Sequence, residues 1–226
     1  MWDRSRLILL SESFKSDAMS SVPPVALDFK PPLFLVLDAC VLMSSILRPL
    51  LLDLAQDGWY RPLWSERIGL EWRRNAARIW GVEPEALAAE WAAMGARFPE
   101  ADQGDLEAYE AGLRYSDVKD WHVIAAGLAG RARSTSQVTP EVRVLTWNLK
   151  DFNRGELKRQ GLSAWDPDRQ LSAWMQQDPV RMGRALESVR QHALARGRDE
   201  PIQETLKRER LFRCGRLLAA HAEGRP

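Results

Sequence analysis

Apolar and polar positions change rhythm several times along the chain. Leu33-Phe34-Leu35-Val36-Leu37 is an unbroken apolar run, which predicts a central strand covered on both faces. Val41 to Ala55 predicts a helix bent at Pro49, and Gly58 to Leu63 a shorter strand. Ser65 is a natural N-cap for a helix through Trp80, with Ile68, Trp72 and Ile79 on one face. Pro84 to Arg97 is amphipathic, with Leu87, Trp91 and Met94 spaced for burial. Asp117 to Ala129 predicts a further helix, and Val142 to Thr146 a second buried strand. Beyond Pro167 the pattern is purely helical, punctuated by Pro179 and Pro201, with Leu171, Trp174, Met175, Ala185 and Val189 on an apolar face. Strands alternating with helices predict an α/β sandwich on a mainly parallel sheet. Residues 1–32 show no sustained period and end in Pro23-Pro24 and Pro31-Pro32, the pattern of a flexible tail. The expected organisation is therefore a tail (1–32), an α/β domain (33–166) and a helical C-terminal extension (167–226).

Composition narrows the class. With 45% hydrophobic and 28% charged residues in 226, the chain is globular and not disordered overall. Cys40 and Cys214 are the two cysteines, too few for a disulfide framework or a Cys-rich zinc site. Asp38, Arg48 and Asp53 interrupt the most apolar stretch, Leu33 to Leu54, so no run reaches the roughly 18 residues of a membrane span. Leu7-Ile8-Leu9-Leu10 is shorter than the ~7–15 residue core of a secretory signal. A soluble protein of the cytoplasm is expected. The net charge of +1 hides an asymmetry: residues 167–226 carry twelve basic and eight acidic side chains, whereas residues 33–166 carry 16 basic and 19 acidic. A basic flank beside an acidic domain suits a polyanionic partner. Of the ten tryptophans, Trp72, Trp91 and Trp147 fall on faces expected to be buried, which leaves Trp121 and Trp165 uncommitted.

Carboxylates fall where chemistry is expected. Asp38 follows the first strand directly, and ligands of open α/β sheets bind beyond the carboxyl ends of strands; Asp38 equally suits the N-cap of the next helix. Asp117 and Asp120 are three apart and share a helix face at its start, an arrangement a capping box would also produce. Thr146, Asn148 and Asp151 follow the second strand, with Thr146 and Asn148 on one side and Trp147 on the other. Glu71 borders the Ile68/Trp72 face of its helix, and periodicity leaves Glu66 and Glu90 as alternatives. Acids of this number with only three histidines point to a hard cation such as Mg²⁺ or Mn²⁺ and away from a zinc hydrolase. Cys40 stands where an aspartate-nucleophile phosphatase needs a second acid, and nothing in the sequence activates its thiol.

Four ordered pieces carry a family resemblance: Leu35 to Leu42, Ser65 to Glu71, Asp117 to Val123, and Thr146-Trp147-Asn148-Leu149-Lys150-Asp151-Phe152. Over roughly residues 33–166 the chain resembles PIN-domain ribonucleases, especially the VapC-like toxins of bacterial toxin–antitoxin modules. The resemblance implies a PIN-like three-layer sandwich with a mainly parallel central sheet, extended at its C-terminus by helices. It implies that Asp38, Glu71, Asp117, Asp120 and Asp151 are metal ligands, with Asp38, Glu71, Asp120 and Asp151 catalytic and Thr146 and Asn148 in support. Many relatives have an aspartate at the position of Asn148, which leaves open whether Asn148 meets metal directly or through water. The implied activity is Mg²⁺- or Mn²⁺-dependent cleavage of RNA by metal-activated water, leaving a 5′-phosphate, with an antitoxin protein as inhibitor and a homodimer as a common assembly. The alternatives are a housekeeping RNA-processing or DNA-acting nuclease on the same scaffold, and a catalytically silent PIN-like interaction module. The C-terminal helices are expected chiefly to pack on the domain.

Overall fold

The computed structural model describes residues 32–224; the tail expected over residues 1–32 lies, but for Pro32, outside them. The elements run β1 (Leu33–Leu37), α1 (Ala39–Leu42), α2 (Leu47–Gln56), β2 (Arg61–Leu63), α3 (Glu66–Trp80), α4 (Pro84–Arg97) and α5 (Glu107–Glu110). They continue with α6 (Trp121–Ala132), β3 (Glu141–Leu145), α7 (Arg154–Arg159), β4 (Leu162–Trp165), α8 (Pro167–Gln177), α9 (Pro179–Leu194), α10 (Ile202–Arg208) and α11 (Phe212–Ala222). Single 3₁₀ turns occupy Val118–Asp120 and Leu149–Asp151.

Local chemistry sets several of these boundaries. The Ser65 hydroxyl accepts from the Ile68 N–H at 3.4 Å to open α3, and Gly81, left-handed at φ 64°, closes it. Pro84 and Pro179 occupy the first position of α4 and α9, where a missing N–H costs nothing. The helix expected from Val41 to Ala55 is two helices and is not bent at Pro49. The Ser44 hydroxyl takes the N–H groups of Ile46 and Leu47 at 3.1 and 2.8 Å and restarts the helix, so Pro49 falls in a first turn that tolerates it. Gly58, at φ 74°, turns the chain into β2, which begins only at Arg61. On α3, Ile68, Trp72 and Ala76 are buried, whereas Ile79 in the last turn is exposed.

The four strands form one parallel sheet of order β2-β1-β3-β4. The connection direction reverses between β1 and β3, and such a reversal opens a crevice at the carboxyl ends of the two strands. Helices cover both faces. Gly127 of α6 lies so close to one face that a Cβ would stand 2.8 Å from Leu162 and 3.2 Å from Val36 and Val142. On the other face Arg143 and Trp165 meet Arg169 and Gln170 of α8. The molecule is thus an α/β protein with helices on both sides of an all-parallel sheet.

The described residues, 32–224, form one compact unit. The C-terminal helices share its core: Trp174 of α8 lies 5.5 Å from Trp59 and 5.6 Å from Tyr60, and Met182, Leu186, Val189 and Ala193 of α9 are buried. Arg48 is also buried, ion-paired with Glu90, with its guanidinium 5.0 Å from the Trp72 ring centroid and 5.4 Å from that of Trp80. Among the described residues no helix is long and apolar enough to cross a membrane.

Candidate active site

Asp38 sits one residue past β1, and its N–H continues the ladder to the Leu145 carbonyl at 3.2 Å. Its side chain makes no capping bond to α1, so the N-cap reading accounts for its backbone alone. The carboxylate instead accepts from the Thr146 hydroxyl at 2.6 Å and from the Cys40 thiol at 3.1 Å. Thr146 is wholly buried one residue past β3, and its oxygen accepts the Asn148 N–H at 2.9 Å. Two neighbouring strand ends therefore lock Asp38 in one orientation. Asn148 itself is exposed and contributes its backbone to this network.

Cys40 is no nucleophile. Burial, and then the charge of Asp38, push its thiol up to about 12, so it stays protonated and donates to Asp38.

The loop at the start of α6 brings two more acids. Asp117 is exposed; its carboxylate accepts the Lys119 N–H at 3.0 Å, and its own N–H bonds the Asp151 carbonyl at 2.9 Å. Asp120, half-buried, is the N-cap of α6 but makes no side-chain cap bond. Its carboxyl is pushed up to about 7, by burial first and then by the charges of Asp38, Asp151, Glu71 and Asp117. Four acids, Asp38, Glu71, Asp117 and Asp151, are therefore close enough to act on the Asp120 carboxyl. Glu71 belongs to this group: burial and Asp38 raise its own carboxyl, against a lowering by Arg67. The alternatives have other partners, since Glu66 pairs with Arg73 and accepts the Trp91 indole N–H at 3.0 Å, and Glu90 pairs with Arg48.

Behind the acids lies His122, 2% exposed, with its Nε2 3.6 Å from a Glu71 oxygen and neither ring nitrogen in a hydrogen bond. Burial, and then Arg67, push it down to about 4, which leaves a neutral imidazole. It backs the acidic group and adds no charge.

Sequence reasoning missed Glu156. Its side chain, buried in α7, accepts the N–H groups of Arg114 (2.7 Å), Tyr115 (3.2 Å) and Ser116 (2.8 Å), while the Ser116 hydroxyl accepts the Asn153 N–H at 3.0 Å. These bonds fix the loop that delivers Asp117. The one sequence signal is Asn153, which caps α7 through the Glu156 N–H at 2.9 Å.

The gathered donors are carboxylates and a hydroxyl, the hard oxygen set that Mg²⁺ and Mn²⁺ take. Among the described residues no three His, Cys, Asp or Glu side chains are grouped so as to hold a metal between them. A cavity of about 580 Å³ lined by Phe34, Arg61, Arg97 and Arg133 includes none of these acids; Phe34 and Arg61 lie near the starts of their strands, away from the acidic rim. Compared with protein-family models, with curated proteins and with solved structures, the chain matches none of them.

Proposed function

We propose that this acidic rim is the catalytic centre of a metal-dependent endoribonuclease of PIN-like fold, and that the chain is the toxin of a toxin–antitoxin pair. The observation that carries the reading is Asp120, whose carboxyl is pushed up by burial first and then by four neighbouring carboxylates at the carboxyl ends of a parallel sheet. Mutual repulsion of this kind is what a bound divalent cation relieves. Asp38 and Asp120 are the residues that would hold it, with Glu71, Asp117 and Asp151 completing the negative field. Bound there, Mg²⁺ or Mn²⁺ supplies an acidified water and positive charge against the phosphodiester oxygens.

The chain's own groups do the positioning. Thr146 and Cys40 hold Asp38 in one orientation, so little reorganisation is needed when charge develops. Asp120 would give up its proton on binding the cation, and its second oxygen would orient the attacking water. His122 stays neutral behind Glu71. RNA as substrate, an antitoxin as inhibitor and a homodimer rest on the resemblance of the four motif pieces, and the basic C-terminal segment is consistent with a polyanion.

The test is cleavage of total RNA by the purified full-length protein with Mn²⁺. The wild type is expected to leave 5′-phosphate ends. Asp38→Asn and Asp120→Asn are expected to lose about 10²–10⁴-fold in rate while keeping the circular dichroism of the wild type, with Asp120→Asn melting no lower than wild type. Undiminished cleavage by both variants would refute the site. Intact RNA with the wild type in both Mg²⁺ and Mn²⁺ would leave the silent interaction module standing. Growth arrest on expression, absent in Asp38→Asn and relieved by the protein of the adjacent small reading frame, tests the toxin assignment.

A further inference from the structure

Trp165 ends β4, and its carbonyl accepts the Thr146 N–H at 3.0 Å, so it shares the sheet end that carries Asp38. Both faces of its indole are occupied. Arg143 and Arg169 each hold their guanidinium carbon 3.8 Å from the ring centroid, and two groups that close can only lie on opposite faces. Trp165 is therefore no platform for a stacked base; it is a spacer that orients Arg169.

Arg169 lines a cavity of about 580 Å³ between α8 and α11, together with Arg213, Arg216, Ser172, Gln176 and Leu217. No carboxylate lines it. Elsewhere in the C-terminal segment Arg190 pairs with Asp199, Arg198 with Glu209 and Arg208 with Glu200, while Arg181 and Arg196 bond the carbonyls of Asp57 and His192. Arg169, Arg213 and Arg216 make no ion pair among the described residues. Asp168, next to Arg169 in sequence, is taken up by the backbone N–H groups of Arg213 and Cys214 at 2.9–3.0 Å.

A second, independent observation points to a ligand. Ser172, 7% exposed, is among the residues that line this cavity, and its buried hydroxyl has no hydrogen-bond partner. A buried hydroxyl without a partner is a cost to the fold that a bound acceptor removes.

We infer that this cavity binds the phosphate of a nucleotide unit, supplied either as a free nucleotide or as one link of an RNA strand. Three unpaired guanidinium forks suit a multiply charged oxyanion, which each can grip through two N–H donors. The volume lies within the ~300–1,000 Å³ of small-molecule sites, room for a nucleotide beyond a bare ion, and Leu217 with the helix alanines offers an apolar wall. The binding inference stands apart from the nuclease reading; only its RNA source rests on that reading.

The experiment titrates the full chain in EDTA, which removes any metal-mediated contact, with AMP, with a short 5′-phosphorylated RNA and with an oligoglutamate peptide. AMP, RNA or both are expected to bind. Arg213→Gln/Arg216→Gln is expected to weaken that binding roughly tenfold or more. Ser172→Ala, which deletes a single oxygen, is expected to weaken it about threefold without lowering the melting temperature. Binding of AMP identifies a free nucleotide, and binding of RNA without AMP identifies a strand. The inference is overturned if neither binds, if the double variant binds as well as wild type, or if oligoglutamate binds as tightly as RNA. Asp38→Asn is expected to keep this binding, so the cavity and the acidic rim are judged separately.

Discussion

Two acids, Glu156 of α7 and Asp120 at the start of α6, are held in opposite states, and the contrast separates structure from chemistry. Glu156 is buried, which alone would lift its carboxyl. Backbone N–H groups from Arg114, Tyr115 and Ser116, together with the Ser116 hydroxyl, outweigh that and hold it below the ordinary carboxylate range. Asp120 is half-buried, makes no cap bond, and has four other acids around it. Every donor near Glu156 favours its charge; every group that moves Asp120 disfavours it. An acid that the fold satisfies is a strut, and an acid that the fold crowds is kept for a partner.

Breaking the strut has the largest expected effect on stability. Glu156→Ala leaves the N–H groups of Arg114, Tyr115 and Ser116 without their acceptor, and the loss is expected to be about 2–4 kcal/mol in urea unfolding. Cleavage should fall with it, because the loop carrying Asp117 loosens, and lower temperature should restore part of the activity. A stability change below about 0.5 kcal/mol would mean that water replaces Glu156 and that the loop is not held this way.

A smaller and oppositely signed effect is expected at Asp120. Its folded pKa of about 7 lies above its ordinary value of 3.8, so its contribution to stability is full at low pH and is lost as pH rises through about 7. Asp120→Asn should therefore melt higher than wild type, with a gap that widens from pH 4 to pH 8 and closes when Mn²⁺ is added. Glu156, whose carboxyl is lowered, has the reverse dependence: its contribution is present above the ordinary carboxylate pKa and fades as pH falls. Parallel pH–melting curves for wild type and Asp120→Asn would break the contrast.

The smallest effect belongs to Cys40. Its thiol is pushed up to about 12 and donates one bond to Asp38, so Cys40→Ala is expected to stay within about 1 kcal/mol in stability and roughly threefold in cleavage, well under one tenfold step. Rapid alkylation of native Cys40 by iodoacetamide at pH 7 would contradict a protonated, hydrogen-bonded thiol.

Much of the scaffold was legible because its signals are local. β1 was readable as five apolar residues, α3 from Ser65, and α4 from Pro84. β4 was not. Leu-Ser-Ala-Trp is too short to show a period, and it is a strand because it pairs with β3. The break between α1 and α2 hides in one hydroxyl, Ser44, whose capping bonds compete with a continuous helix.

The candidate site divides in the same way. Asp38, Asp120 and Thr146 were visible from their places at strand and helix ends. Glu71 was not separable from Glu66 and Glu90 by period, because the arginines that claim those two, Arg73 and Arg48, become their partners only in the folded chain. Glu156 left no trace beyond the helix cap at Asn153, since the N–H groups it satisfies lie about 40 residues earlier. Trp165 shows a further limit: its occupation by Arg143 and Arg169 depends on β3, β4 and α8 meeting.

The bond between Asp38 and Thr146 joins positions 108 residues apart in sequence, and β1 has its longer partner, β3, equally far downstream. A nascent chain that has left the ribosome only as far as α5 therefore holds one flank of the sheet and none of the order that Thr146 imposes on Asp38. Synthesis itself postpones assembly of the acidic crevice until more than half of the polypeptide has emerged, and fragments that stop short of β3 should be inert however well their first helices form.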